Sequence, residues 1–255
     1  MVVPFAYMVA TSFKQNALVL QVPPQFIPHH PTGANYSQAW TSNKFGRYFV
    51  NSLVVAIATT FFSVLLSSMM AYAFARLRFP GRRILFGCLL VGLMVPTMML
   101  IIPQFLLAKN LGLLDSLSGL VFFYVGGTVA LNTFLLRSFF QDIPRELEEA
   151  MVVDGAGPWK RYRKLVLPLS RPALATVAIF SFLASWDEFV WALTVINDPN
   201  RRTLPIAIAL FQGEHSTSWG LVFAASVIAV VPVIAIFVAF QRQFVSGLAS
   251  GAVKG

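Results

Sequence analysis

The stretch Pro144–Pro172, PRELEEAMVVDGAGPWKRYRKLVLPLSRP, decides how this chain is read. It is a polar island between long segments that would be comfortable only in lipid. Asp142 is the expected N-cap of a helix here, Pro144 suits its first turn, and Glu146, Glu148 and Glu149 lie near the positive end of its dipole. Gly155, Gly157 and Pro158 predict a stop after about three turns. Leu147, Ala150 and Met151 share a face by the i, i+3, i+4 spacing. The island therefore predicts a short helix parallel to the membrane, with an apolar ridge flanked by carboxylates that can lie in a groove of a soluble partner. A plain solvated loop helix with acidic and basic blocks is the alternative.

Working outward, the composition is that of a membrane protein. The chain is 57% hydrophobic and only 11% charged, against about 25% charged in ordinary soluble domains, and its mean hydropathy is +0.71. No hydrophilic linker divides it, so residues 1–255 read as one transmembrane domain. The net charge of +9 does not point to nucleic acid, because the cations fall in two clusters between apolar spans. Arg76, Arg78, Arg82 and Arg83 form one; Arg145, Lys160, Arg161, Arg163, Lys164 and Arg171 form the other. Such clusters mark short cytoplasmic loops, and Lys160, Arg161, Arg163 and Lys164 are expected to anchor at lipid headgroups.

Segments of about 20 apolar residues fall at Phe49–Ala75, Ile84–Leu107, Leu117–Phe139, Ala173–Ile196 and Leu221–Phe240, giving five full spans in an all-α, polytopic helix bundle. With both basic clusters in the cytoplasm, segments 108–116 and 197–220 lie outside, where the basic residues are Lys109, Arg201 and Arg202. The C-terminus is then inside. Residues 1–12 are apolar but below the lower limit of about 17 for a span, and they lack the basic start and cleavage site of a signal peptide. Residues 13–46 read as an extracytoplasmic loop interrupted by Pro23, Pro24, Pro28 and Pro31. Gly92, Pro96 and Pro103 would break the backbone ladder of the second full span unless neighbours satisfy it. They suit either packing kinks or helices bent around a cavity.

Within the island, Glu149, Ala150, Asp154, Gly155 and Ala156, followed by Leu167, Pro168, Leu169 and Pro172, match E-A-(A)-x-x-D-G-A…L-P-L-x-x-P. This resembles the EAA coupling loop in the membrane subunits of ATP-binding cassette (ABC) importers, near the sugar-importing, maltose-transporter branch. The resemblance extends through Asn51-Ser52, Ala71-Tyr72-Ala73-Phe74, Phe79-Pro80-Gly81, Ile102-Pro103, Gly112-Leu113 and Trp186, and ends at the tail Gly247–Gly255. One departure is central: the family's second alanine is Met151 here, a flexible thioether that can still fill an irregular groove.

The resemblance implies a bacterial inner-membrane permease subunit with six helices, the end of the first resembling Pro4–Lys14, so that the start here is expected to be shortened or misassigned, or else a partial helix packing against its neighbours from the outer leaflet. Residues 144–157 would be a cytoplasmic coupling helix, with Leu147, Glu149, Ala150, Met151, Asp154 and Gly155 docking on a separate ATPase. The implied partners are a second homologous permease, two ATP-binding subunits or domains, and an external solute-binding protein. Segment 198–220, with Glu214, His215 and Trp219, would face that binding protein.

No phosphate loop of the G-x-x-x-x-G-K-[ST] type is present, so ATP and Mg belong to a partner. A triad has no base, since no histidine falls inside a span. His29, His30 and His215 with the single Cys88 do not make a zinc pattern, and Cys88 reads as a packing residue. Asp187 and Glu188 are the exception to an apolar interior, where a charge costs about 2.5–3.5 kcal/mol to insert. With Trp186 and Trp191 they either line a sugar or polyol route or form an interhelical clamp. Relatives more often carry Asn where this chain has Asp187. An ion-coupled secondary transporter or channel using these carboxylates would leave the island unexplained; a scaffold with no pathway of its own, dependent on Leu147, Ala150 and Gly155, is a third alternative.

Overall fold

The computed structural model describes residues 2–15, 19, 26, 28, 30–213 and 217–252, with side chains as far as Gln241. His29, Glu214, His215 and Val253–Gly255 lie outside the described residues. Among the described residues all regular structure is helical, apart from one isolated bridge between Gln212 and Thr217.

The chain forms two compact units, one built from Met1–Val54, Leu114–Leu117 and Trp186–Ala235, the other from Val55–Leu113, Ser118–Ser185 and Ile236–Gly255. Among the described residues three helices are long and apolar enough to cross a bilayer: α3 (Phe45–Arg76), α6 (Leu117–Gln141) and α13 (Trp219–Ala252). At 32 residues, α3 is about 48 Å long, more than the hydrocarbon core needs. Nothing interrupts it after Gly46. It starts where Asn43 and Lys44 take positive φ angles of 49° and 59° and so turn the chain sharply.

Two further spans are possible only as bent pairs, bringing the total to five. The segment expected as one helix over 84–107 is two: α4 (Arg82–Leu93) and α5 (Ile101–Asn110), the latter led by a 3₁₀ turn at Thr97–Leu100. They are bent by 96°. Pro96 is responsible, since it is extended (φ −60°, ψ 127°), has no N–H to continue α4, and forces its predecessor out of the α region. Cys88 is exposed on α4 rather than packed.

The segment expected as a helix over 173–196 also differs. Helix α10 (Arg171–Trp186) stops at Trp186, and α11 (Val190–Val195) starts after three non-helical residues. Its other end turns through 80° into the island. There lie α7 (Arg145–Val153), α8 (Pro158–Arg161), a π-helical turn at Tyr162–Val166 and α9 (Leu167–Leu169).

In the second unit the island packs on α3, α6 and α10 through Ala71, Tyr72, Leu136, Phe140, Ile143, Tyr162, Val166 and Val177. Farther along the helices the core is polar. Ser63 Oγ meets Thr128 Oγ1 at 2.7 Å, joining α3 to α6, and Asn132 Nδ2 donates to Ser181 Oγ at 2.8 Å, joining α6 to α10. Apolar contact gives little preference between helix and lipid, so such bonds and small residues supply the specificity. In the first unit, helices α1 (Val2–Ser12) and α2 (Ala34–Thr41) are tied by Asn35, whose amide donates to the carbonyls of Ser12 and Lys14 at 2.8 and 2.7 Å. That satisfies carbonyls left open at the end of α1.

Candidate functional site

The island helix α7 is shorter than expected, ending at Val153 rather than near Gly157. Its N-cap is Pro144 with no side-chain cap, so Asp142 does not start it. Its end is a Schellman motif: Ala156 N–H donates to Met151 C=O at 2.8 Å and Gly155 N–H to Val152 C=O at 2.9 Å. The motif needs a left-handed residue after the cap, and Gly155 supplies it with φ 72°.

One residue of α7 is buried, and it is a glutamate. Glu148 is 7% exposed; its Oε1 lies 3.2 Å from Arg76 Nε and its Oε2 3.5 Å from Arg161 Nη1. Arg76 belongs to the last turn of α3 and also donates to the carbonyls of Phe140 and Ile143, satisfying groups near the end of α6. Arg161 therefore faces inward to Glu148, not outward to lipid headgroups as expected. Above this triad Tyr72 OH donates to Pro158 C=O at 3.1 Å, and Tyr162 OH meets Ser68 Oγ at 2.8 Å.

The other face is open. Leu147, Glu149, Ala150, Asp154 and Gly155 are exposed and Met151 is half-buried. Val152 and Val153, at 51% and 87% exposure, extend the apolar surface together with Trp159 at 59%. The expected ridge of Leu147, Ala150 and Met151 is thus present but wider, running onto two valines that helical spacing from Leu147 did not single out.

The second candidate group, Trp186, Asp187, Glu188 and Trp191, sits at the break between α10 and α11. Asp187 and Glu188 are not helical, so they are free of the 100° spacing between neighbours on a helix. Glu188 turns back on its own chain: Oε1 accepts from Trp191 N–H at 2.6 Å and Oε2 from Ala192 N–H at 3.0 Å. It caps α11, serving donors that a helix start leaves unpaired. Trp186 is buried, with its indole N–H donating to Ala229 C=O at 3.1 Å and its ring edge-on to Phe49. Trp191 is buried as well. Only Asp187 is exposed, and with Phe189 and Gln212 it lines a cavity of about 410 Å³.

Nearby, Asp115 (φ 52°) accepts the N–H groups of Asn197 and Asp198 at 3.1 and 2.9 Å. Asn51 donates to the carbonyls of Asn200 and Arg202, both at 2.9 Å, and Ser52 Oγ accepts Leu204 N–H at 2.8 Å at the start of α12 (Leu204–Ala209). Asn51-Ser52 thus holds the loop beyond α11 in place.

Comparison with known proteins decides the family. The model for the binding-protein-dependent transport system inner membrane component family matches residues 63–250. The chain belongs to this family. The diacetylchitobiose uptake system permease protein NgcG of Streptomyces coelicolor is 35% identical over 255 residues, covering 99% of this chain and 84% of that protein. The trehalose/maltose transport system permease protein MalG of Thermococcus litoralis is 38% identical over 256 residues, with coverage of 99% and 91%. Among solved structures, a bacterial ABC transporter that imports the acidic polysaccharide alginate superposes with a TM-score of 0.81 at 25% identity, covering 95% of this chain and 90% of that one.

The protein is a multi-pass membrane permease subunit of an ATP-driven, binding-protein-dependent importer, a transport component and not a catalyst. What the sequence did not single out in this permease is Glu148 with Arg76 and Arg161. A signal exists in retrospect: Glu148 lies opposite Ala150 on α7, but nothing local says which face is covered.

Proposed function

We propose that the permease supplies half of a translocation pathway for a sugar or sugar derivative and takes its driving force through the exposed face of α7. The observation that carries this is the division of α7 itself. Glu148 faces inward in a buried ion triad, while Leu147, Glu149, Ala150, Asp154 and Gly155 face outward around an apolar strip. A helix anchored on one side and apolar on the other is built to receive a groove. Met151, half-buried, sits at the margin of that surface.

In this reading residues 144–157 are the cytoplasmic coupling segment, residues 13–46 and 197–220 lie outside, and the C-terminus is cytoplasmic. The basic residues around 76–83 and 160–171 support that orientation, because short cytoplasmic loops retain Lys and Arg. Two ATP-binding subunits or domains hold ATP and Mg; a second, similar permease completes the pathway; a solute-binding protein delivers cargo from outside. The cargo class rests on the relatives named for diacetylchitobiose and trehalose/maltose.

For the pathway, Asp187 is the residue proposed to meet cargo, since its carboxylate opens on the cavity shared with Phe189 and Gln212. Carboxylate and amide groups beside an aromatic edge suit the hydroxyls and apolar face of a sugar. Trp186 lines the same cavity, whereas Glu188 and Trp191 are not among its lining residues.

The test is gentle purification of the tagged chain from its native membrane, with identification of the co-purifying subunits. An ATP-binding subunit and a second permease are expected with the native chain, and loss of the ATPase is expected from Gly155→Pro, which fixes φ near −65° where +72° is needed. Recovery of the ATPase in equal amount from both would remove α7 as its docking surface.

A further inference from the structure

We infer that Ser68, Tyr72 and Arg76 form a stripe on α3 that makes this helix and the coupling segment move as one body, with Glu148 as the positioning residue that fastens them. The inference rests on the reading of α7 as the coupling helix. The three residues are four apart, and each four-residue step turns the helix by only about 40° past a full circle, so they lie along one side of α3. Each grips a different part of the island. Ser68 meets the Tyr162 hydroxyl at 2.8 Å in the π-helical turn, Tyr72 donates to Pro158 C=O at 3.1 Å at the start of α8, and Arg76 pairs with Glu148 at 3.2 Å in the middle of α7. Arg76 also holds the carbonyls of Phe140 and Ile143, the entry to the island.

The grips are buried and mutually braced. Ser68, Tyr72, Glu148 and Tyr162 are all under 9% exposed. The Tyr72 and Tyr162 rings pack with centroids 5.2 Å apart, and Trp159 covers Tyr162 at 5.3 Å.

Two facts make this more than a stabilising contact. First, the covalent route out of α7 on its C-terminal side passes through two glycines, Gly155 with φ 72° and Gly157, on either side of the buried Ala156. A push on the exposed face of α7 would be dissipated by rotation at this joint if the chain alone carried it. The stripe bypasses the joint. Second, burying an ion triad is a poor way to gain stability, because desolvation offsets most of the attraction; its best-attested use is to fix one registry. The partners of Glu148 lie on α3 and α8, so the registry fixed is that of the island against α3.

The experiment uses the complex purified with its partner subunits, in a Cys88→Ala background that removes the exposed native thiol. Cysteines replace Met69 on α3 and Arg145 on α7, both exposed, and carry nitroxide labels whose separation is measured without nucleotide and after trapping with ATP and vanadate. One narrow distance, identical in both states, is expected. In Arg76→Lys and in the Tyr72→Phe/Tyr162→Phe pair, assembly should persist while the distance broadens and shifts on trapping. ATP hydrolysis stimulated by the cargo-loaded binding protein should fall about fivefold, the equivalent of one ordinary hydrogen bond. A native distance that changes between states overturns the inference, as do variants that keep the narrow, unchanging distance. Failure of the coupling reading is separate: the ATP-binding subunit would then be recovered equally with the native chain and with Gly155→Pro.

Discussion

The permease has two pairs of adjacent acids, Glu148-Glu149 in the island and Asp187-Glu188 at the break after α10, and each pair splits in the same way. One acid is folded into the structure and the other is left exposed. What differs is the range over which the folded acid acts. Glu148 is held by arginines 72 residues before it and 13 after it, on two other elements (148 − 76 and 161 − 148). Glu188 is satisfied by the backbone three and four residues ahead. The first therefore registers separate segments, and the second only starts a helix. The comparison teaches that a carboxylate in a largely apolar chain is not by itself a pathway residue; its neighbour without a structural partner is the better candidate.

The sharpest way to break this comparison is Glu148→Ala. It leaves two inward-facing guanidiniums without their carboxylate and should cost about 3–5 kcal/mol, seen as a large fall in thermal unfolding temperature of the detergent-solubilised chain. A small fall would mean that the triad contributes no more than an exposed pair. Glu188→Ala removes a local cap, so a loss of about 1 kcal/mol is expected in the same assay, with early deprotection of the Trp191 and Ala192 amides in hydrogen exchange. Equal losses for the two variants would erase the distinction between registry and capping.

The exposed members should behave oppositely. Glu149→Gln and Asp187→Asn are each expected to shift stability by no more than about 0.5 kcal/mol. Glu149→Gln should weaken recovery of the ATP-binding subunit, whereas Asp187→Asn should reduce uptake with recovery intact. Loss of assembly in Asp187→Asn would return that residue to the structural class.

The smallest expected effect concerns a half-buried acid in the loop beyond α11. The Asn200 backbone N–H and side-chain amide, at 2.8 and 3.0 Å, together with Arg201 and Arg47, hold the Asp198 carboxyl below the usual range. A folded value below the unfolded one means that the contribution is present at neutral pH and disappears as pH falls through the depressed value. Exchange protection of the Asn200 amide should therefore weaken only in strong acid, and Asp198→Asn should flatten that profile.

Much of the fold was legible because its signals are local. The apolar runs behind α3, α6 and α13 needed only length and composition, and Gly155 announced the end of α7 through backbone freedom. The corrections came where a local rule met a competing one. Pro96 was visible, but hydropathy averaged over it and predicted one span in place of two helices bent by 96°. Asp187-Glu188 lay within an apolar window, so the window ran on to Ile196, although α10 stops at Trp186.

By itself the sequence determined that this is a helical membrane permease with a short island helix, since hydropathy, charge placement and the E-A…D-G-A…L-P-L spacing are properties of neighbours along the chain. The tertiary structure decided which glutamate anchors the island, which acid opens on a cavity, and that Asn51-Ser52 fixes a loop some 150 residues later. The reason is physical. Helical periodicity sorts side chains into faces, but which face is covered depends on partners brought near only by folding. A charged side chain can take the buried face and apolar ones the exposed face when folding brings two arginines to the charge.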